Sequence, residues 1–135
     1  MTLKTEYDAI TPYRTKDRSI IRELMHPDVH GNSRMSLAEA TVPEGRMTLL
    51  HRHHQTEEVY HITRGEGLMV LGRERLRVSS GDTVCIPPET PHQICNTGKG
   101  PLILLCCSSP AYSHDDTELL PQKEKGRDPI DPAFF

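Results

Sequence analysis

The stretch "HRHHQTEE", His51 to Glu58, gathers three histidines and two glutamates within eight residues. Imidazole nitrogens and carboxylate oxygens are donor atoms of mixed N/O sites for divalent transition metals. The spacing decides which of the five can meet at one point. If residues 46–53 form a strand, side chains two apart share a face, so His51 and His53 project together with Cα atoms roughly 7 Å apart. His54 then points away. Met47 and Leu49 fall on the histidines' face, which marks it as the inner one. Glu58 opens the next strand with Tyr60 and Ile62 on its face, while Glu57, Val59 and His61 take the other. Both faces carry an apolar residue, so parity leaves Glu57 and Glu58 open. A third imidazole, His92, follows the rigid loop "PPETP" and starts a strand in which Ile94 shares its face.

Three neutral imidazoles and one carboxylate suit one divalent ion of Fe, Mn, Ni, Cu or Zn. No thiolate belongs to the set, which disfavours a closed structural zinc site. A His-x-His pair taken alone fits a surface strand as well as a metal site. The surrounding pattern has to decide.

That pattern is one of short strands. The chain of 135 residues is the size of one domain, and its 11 prolines and 9 glycines call for many turns. "SIIREL" reads as a short strand, and "RMSLAEATV" as strand or helix. "EEVYHITRGEGLMVLGRERLRV" is broken by Gly65 and Gly72, giving strands near 58–64, 67–71 and 74–78. "TVCI" stops at Pro87, "HQICN" resumes, and "PLILLCCSS" has the continuous apolar run of a strand covered on both faces. Eight or nine short strands with tight turns argue for an all-β sandwich or barrel. Three regions follow: an N-terminal arm over 1–33, the barrel over 34–109, and a polar, Pro-interrupted tail over 110–135. Within the tail, Ser113 is placed to cap one helical turn through Leu120.

Composition narrows the function classes. The chain is 35% hydrophobic and 26% charged with a net charge of −3, and no Lys/Arg run exceeds two residues, so nothing recommends a nucleic-acid partner. The longest apolar run, Leu102 to Cys107, is too short to span a membrane. The opening "MTLKTEYDAI" has no basic segment followed by an apolar one, which gives a cytoplasmic expectation. Cys85, Cys95, Cys106 and Cys107 form no C-x-x-C pair and read as buried structural cysteines, not as disulfides or a zinc site.

The order of residues around the histidines resembles the cupin superfamily. Gly45-x5-His51-x-His53-x4-Glu58-x6-Gly65 matches the first cupin motif at every fixed position. Gly81-x5-Pro87-x-Glu89-x2-His92-x3-Asn96 matches the second with one departure, since Glu89 stands where glycine is usual. Residues 66–80 separate the motifs, a spacing similar to that of small single-domain cupins, and the resemblance covers Arg34 to Ser109. It implies a double-stranded β-helix, a jelly-roll-like barrel of two antiparallel sheets, with an N-terminal arm and an extended C-terminal tail. It also implies His51, His53, Glu58 and His92 as the ligands of one metal ion, and Glu57 as an outward bystander. The Glu89 departure bears on the shape of its loop, where the carboxylate would rim the pocket mouth or sit in a solvated turn.

Four protein ligands around an octahedral ion leave two positions for small molecules, as Lewis-acid or redox catalysis requires. Met47, Leu49, Ile94 and Met69 or Leu71 are expected to give the interior an apolar wall. Tyr60, one step further in than Glu58, is the candidate acid or hydrogen-bond donor, with an amphipathic core residue as the plainer reading. Three function classes survive: a dioxygenase-like oxidoreductase on a small organic substrate, a non-redox isomerase or lyase on a sugar-like or carbonyl substrate, and a non-catalytic binder of a small ligand. The first is preferred for its redox-compatible ligand set. A homodimer is expected, because cupins commonly pair and both terminal arms, the second closing on Phe134 and Phe135, need a surface to lie on.

Overall fold

The computed structural model describes residues 2–122 of the chain. After a 3-10 turn at Tyr7–Ala9 come β1 (Tyr13–Arg14), β2 (Ile20–Met25), the one-turn α1 (Pro27–His30), β3 (Ser36–Val42), β4 (His51–His53) and β5 (Glu57–Arg64). The chain continues through β6 (Glu66–Leu71), β7 (Glu74–Ser79), β8 (Thr83–Ile86), β9 (His92–Asn96), β10 (Leu102–Ser109) and β11 (Thr117–Leu119). The strands form two antiparallel sheets, one in the order β1-β2-β3-β10-β5-β8 and the other β11-β4-β9-β6-β7. The architecture is an all-β, double-stranded β-helix.

Alternation builds the interior. Along β5, Glu58, Tyr60 and Ile62 are buried while Glu57, Thr63 and Arg64 are exposed. Strand pairing aligns these with inward residues of the neighbouring strands. One row runs Ser36–Ser108–Glu58, the next Glu23–Ala38–Cys106–Tyr60, and the third Ile21–Ala40–Leu104–Ile62. The third row meets Met69, Ile94 and Val78 from the opposite sheet in one apolar core. Along the cavity side of this sheet, Ser36, Ala38, Ala40 and Ser108 are too small to fill the space between the sheets. That shortage of side-chain volume leaves the cavity described below.

Glycine is forced at two positions of the path. Gly65 has φ +88°, and a Cβ there would also lie 2.8 Å from the Pro101 carbonyl oxygen. A Cβ on Gly67, within β6, would lie 2.5 Å from the Cys95 carbonyl oxygen of β9. Because that atom is backbone, it cannot rotate aside. Gly67→Ala is expected to cost about 3 kcal/mol, the upper end of overpacking, measured as a lower urea midpoint at unchanged slope.

Three expectations are corrected. Residues 46–53 are not one strand: Met47 makes only an isolated bridge to Cys95, and β4 begins at His51. Thr48 is the buried residue here, since its Oγ1 accepts from the Ile94 N–H at 3.0 Å, and Met47 is 38% exposed. The N–H groups of Leu49 and Leu50 then leave the ladder for the Asp17 carbonyl and Gln122 Oε1, and this irregularity resets the alternation before His51. Second, β10 is covered fully on one face only, with Leu102, Leu104, Cys106 and Ser108 buried and the residues between them half-buried. Third, Ser113 does not open a helical turn. Its carbonyl and hydroxyl accept from Asp116 and Asp115 in a turn, and Thr117–Leu119 then pair with β4. Phe134 and Phe135 lie outside the described residues.

Candidate metal centre

Two strands of one sheet and one of the other deliver the four side chains. β4 and β9 pair with His51 opposite His92, so these two imidazoles face each other across adjacent strands. His53 stands two residues along β4, on the same buried face. Glu58 enters from β5 in the facing sheet. The ring centroids of His51, His53 and His92 lie 4.2–5.3 Å apart. One donor atom from each of the four residues lies within 4.8 Å of all the others, and all four residues are buried. His54 and Glu57 are exposed on the outside of the same strands.

The outer hydrogen bonds set the tautomers. His51 Nδ1 meets the Leu49 carbonyl at 2.8 Å, and His92 Nδ1 meets the Thr90 carbonyl at 2.9 Å. A carbonyl only accepts, so both Nδ1 atoms carry the proton. His53 Nδ1 lies 2.9 Å from Thr117 Oγ1, whose own hydrogen goes to the Ser113 carbonyl at 2.8 Å. The hydroxyl therefore accepts, and His53 Nδ1 is also a donor. Each neutral ring must then present its Nε2 lone pair inward.

Two of those lone pairs, and one carboxylate oxygen, have no hydrogen-bond partner among the described residues. His53 Nε2, His92 Nε2 and Glu58 Oε1 are buried without a hydrogen-bond partner. His53 Nε2 nevertheless lies in contact with Glu58 Oε1, and His92 Nε2 is 3.7 Å from the same oxygen. Two lone-pair atoms at contact repel unless a proton or a cation lies between them. Bonds of about 2.1 Å to one divalent ion place donors about 3–4 Å apart, so the set needs little movement to surround one. The residues present fit a metal ion.

Electrostatics point the same way. Burial and the nearby His92 push the His51 imidazole down to about 4. Burial acts to raise the Glu58 carboxyl, but the imidazoles of His53 and His92 outweigh it and hold the group well below the usual carboxylate range. A neutral His51 imidazole and an ionised Glu58 carboxylate are the protonation states a metal requires of those two ligands. Glu58 Oε2 also accepts from Ser108 Oγ at 3.4 Å.

A cavity of about 40 Å³ opens beside the cluster, room for a few water molecules or a compact ligand. Ala38, Ala40, Val42, Ile94, Leu104 and Cys106 give it an apolar wall. Of the expected wall residues only Ile94 faces it: Met69 is in the core below, and Met47 and Leu49 turn outward into a different surface pocket. Tyr60 lines the cavity with its ring 6.0 Å from that of His92. Burial, then the charge of Glu58, raise the Tyr60 hydroxyl well above the ordinary phenol value, so it stays protonated.

The sequence reading missed the groups supplied by the N-terminal arm and the tail. Asp17 Oδ2 lies 3.6 Å from His51 Nε2, while its Oδ1 is fixed by Thr15 Oγ1 at 2.6 Å and by Ser19 N and Oγ at 2.9 and 2.6 Å. Glu23 and Tyr112 also reach the cavity. The available signal was the alternation Thr15-x-Asp17-x-Ser19, an acid flanked by hydroxyls just before an apolar strand. His26, given no role from sequence, caps α1 by accepting from Asp28 N and lies 2.7 Å from the Tyr112 carbonyl, tying the tail to the arm.

Glu89 resolves its own departure from the motif. It adopts φ +65°, the left-handed conformation that favours glycine. Its N–H bonds the His53 carbonyl at 2.7 Å, and its carboxylate meets His54 Nδ1 at 3.0 Å and Arg52 Nε at 3.6 Å on the outer surface. The loop keeps a glycine-like shape, and the carboxylate stays outside the cavity.

The Thr117 contact yields a separable test. Thr117→Val keeps the volume but removes the acceptor that orients His53. Metal affinity is expected to fall about 10–100-fold, the usual cost of losing a ligand's hydrogen-bond partner, measured by competition with a chromophoric chelator.

Comparison with known proteins places this geometry. The family model of the cupin domain matches residues 38–108. The chain is 58% identical over 118 residues to Uncharacterized protein MJ1618 of Methanocaldococcus jannaschii, covering 87% of this chain and 94% of that one. Among solved structures, it is similar to the Lactobacillus farciminis oxalate decarboxylase formate complex, with a TM-score of 0.73 and 23% identity over 84% of this chain. The chain spans about a third of that enzyme's length, 34%. It is also similar to the polyketide cyclase RemF of Streptomyces resistomycificus, with a TM-score of 0.75, 19% identity, and coverage of 92% of this chain and 89% of that one. At these identities the likeness to solved structures is one of fold. No helix among the described residues is long and apolar enough to cross a membrane. The family match spans more than half of the chain, and the chain belongs to the cupin family.

Proposed function

We propose that the protein is a metal-dependent oxidoreductase, dioxygenase-like, acting on a small organic substrate beside an ion held by His51, His53, Glu58 and His92. The observation that carries this reading is the set of inward lone pairs, fixed by outer hydrogen bonds and left without partners. A bound ion of Fe, Mn, Ni or Cu would supply Lewis acidity and one-electron chemistry. The chain's own contribution is orientation and exclusion of water. The apolar part of the wall lowers the dielectric beside the cluster, which strengthens the electrostatic interactions there. Tyr60 holds a proton at its phenolic oxygen within the same cavity and is the donor we assign to the substrate. The small volume of that cavity supports a compact substrate over a polycyclic one.

A non-redox isomerase or lyase is the second reading. It is favoured by the buried carboxylate of Glu23 and the protonated Tyr60, a base and an acid facing one cavity. Turnover of a panel of small hydroxy, keto and amino compounds by metal-loaded protein, with and without O2, separates the two. Products formed only aerobically support the first reading, and equal anaerobic turnover supports the second. Tight binding without turnover in either atmosphere would make the protein a binding module.

For assembly, we infer a homodimer. Leu37, Cys107, Val59 and Cys85 align as one outward row across four strands of the larger sheet, an apolar strip suited to pairing with a second copy. A monomer mass by light scattering would contradict this.

A further inference from the structure

Glu23 is a charged side chain placed where a folding protein rarely tolerates one. It lies on the inward face of β2 beside Ile21 and is only 9% exposed. Its Oε1 accepts from the Tyr13 hydroxyl at 2.9 Å, while Oε2 is buried with no partner. An unpaired buried carboxylate oxygen costs more than an ordinary lost hydrogen bond. Strand pairing puts Glu23 in the row Ala38–Cys106–Tyr60, directly beside the row that carries Glu58. The same cavity therefore has His51, His53 and Glu58 of the cluster on one side and an unsatisfied acceptor on another, with small side chains between them. Glu23 and Tyr112 also line an outer pocket next to Ser113 and His114, so they stand between the interior and the surface.

The charge balance of this space is one-sided. Asp17, Glu23 and Glu58 all line it, and among the described residues lining it there is no Lys or Arg. Three carboxylates exceed the charge of a divalent ion by one. A second anion brought into that low-dielectric space would be repelled, whereas a cation or a neutral donor would be attracted.

We propose that Glu23 Oε2 is the acceptor for the far end of the ligand, and that the ligand is a compact molecule with a metal-binding oxygen at one end and a hydroxyl or ammonium donor, not a carboxylate, at the other. This rests on the metal-binding reading above and narrows it. Small dicarboxylates are excluded as substrates, whatever the fold shares with oxalate decarboxylase. Ala38 lines the cavity opposite Glu23 in the same row, so a larger side chain there would occupy the space such a ligand needs.

The probes are three compounds that share a carboxylate for the metal end and differ at the far end: β-alanine, 3-hydroxypropionate and malonate. Full-length protein is loaded with Co(II), its content fixed by elemental analysis, and each probe is titrated while the cobalt visible absorption is followed. Wild-type protein is expected to bind β-alanine at least about tenfold more tightly than malonate, the scale of one hydrogen bond to a buried charge. Glu23→Gln is expected to cut that preference about tenfold with cobalt content unchanged. Ala38→Leu is expected to weaken β-alanine binding by filling the space the ligand needs. Equal or tighter binding of malonate by wild-type protein would overturn the proposal and needs no variant. A preference for β-alanine that survives Glu23→Gln would also overturn it. Cobalt bound without any such preference sinks this proposal alone, while failure of the wild type to bind cobalt sinks the metal reading and this proposal with it.

Discussion

His92→Ala is expected to reduce metal affinity by more than about a hundredfold while the barrel still folds. The factor exceeds the 10–100-fold typical of losing an outer-shell partner, because a ligand itself is removed. Three donors would remain, and the imidazole opposite His51 would be replaced by a methyl group facing the cavity. The fold survives because the apolar core of Ile62, Met69, Ile94 and Leu104 lies in rows beyond the cluster. The glutamate pair supplies the control. Glu58→Gln should weaken binding sharply, since it removes the one carboxylate among the four donors, and Glu57→Gln should leave it intact, since that side chain is exposed. Metal content after extensive dialysis, with circular dichroism to verify folding, checks all three variants. The opposite result for the two glutamates would mean that the register of β5 is off by one residue.

The second large effect is loss of stability in acid by the metal-free protein. The His51 imidazole has its ordinary value of 6.5 in the unfolded chain and about 4 in the fold, because burial and His92 oppose its charge. The unfolded state therefore takes up the proton first. The stabilisation from keeping His51 neutral is fully present above pH 6.5 and is lost as pH falls towards 4. A separation of that size corresponds to about 3 kcal/mol. Glu58 acts in the same direction further down, because its carboxyl is depressed in the fold and must be protonated for the charge to be lost. Urea titrations of chelator-treated protein across this range should show the decline, and the difference between wild type and His51→Gln isolates it. A wild-type profile parallel to that of His51→Gln would contradict the assignment. Metal-loaded protein should release its ion over the same range, since protons compete for the same Nε2 atoms.

How much of this was legible in the sequence depends on where each determinant lies along the chain. The strands from β5 to β10 follow from alternation and from turn glycines, because both signals are local. The burial of the His51-x-His53 pair was reached by a faulty route. In the sequence Met47 and Leu49 mark the inner face, but Thr48 is the buried residue, held by a hydrogen bond to β9 from 46 residues away in sequence. No window of sequence contains that partner. The same reason hid β11: Thr117–Leu119 is polar and short, and becomes a strand only because β4 offers its free edge. Asp17 and Glu23 were invisible for a related cause. They precede the motifs, and only the placement of the arm brings them to the cavity. Glu89 shows the converse: its residue type leaves the shape of the loop open in the sequence, and the structure gives it the φ +65° of a glycine.

The central claim is that His51, His53, Glu58 and His92 hold one divalent transition metal ion. Elemental analysis of protein purified without added metal tests it most directly, followed by reloading of chelator-treated protein with Fe, Mn, Ni, Cu or Zn. The account predicts about one equivalent of a single transition metal per chain, lost on chelation and restored on reloading. Protein that carries no metal as purified and takes up none of the five ions would contradict it.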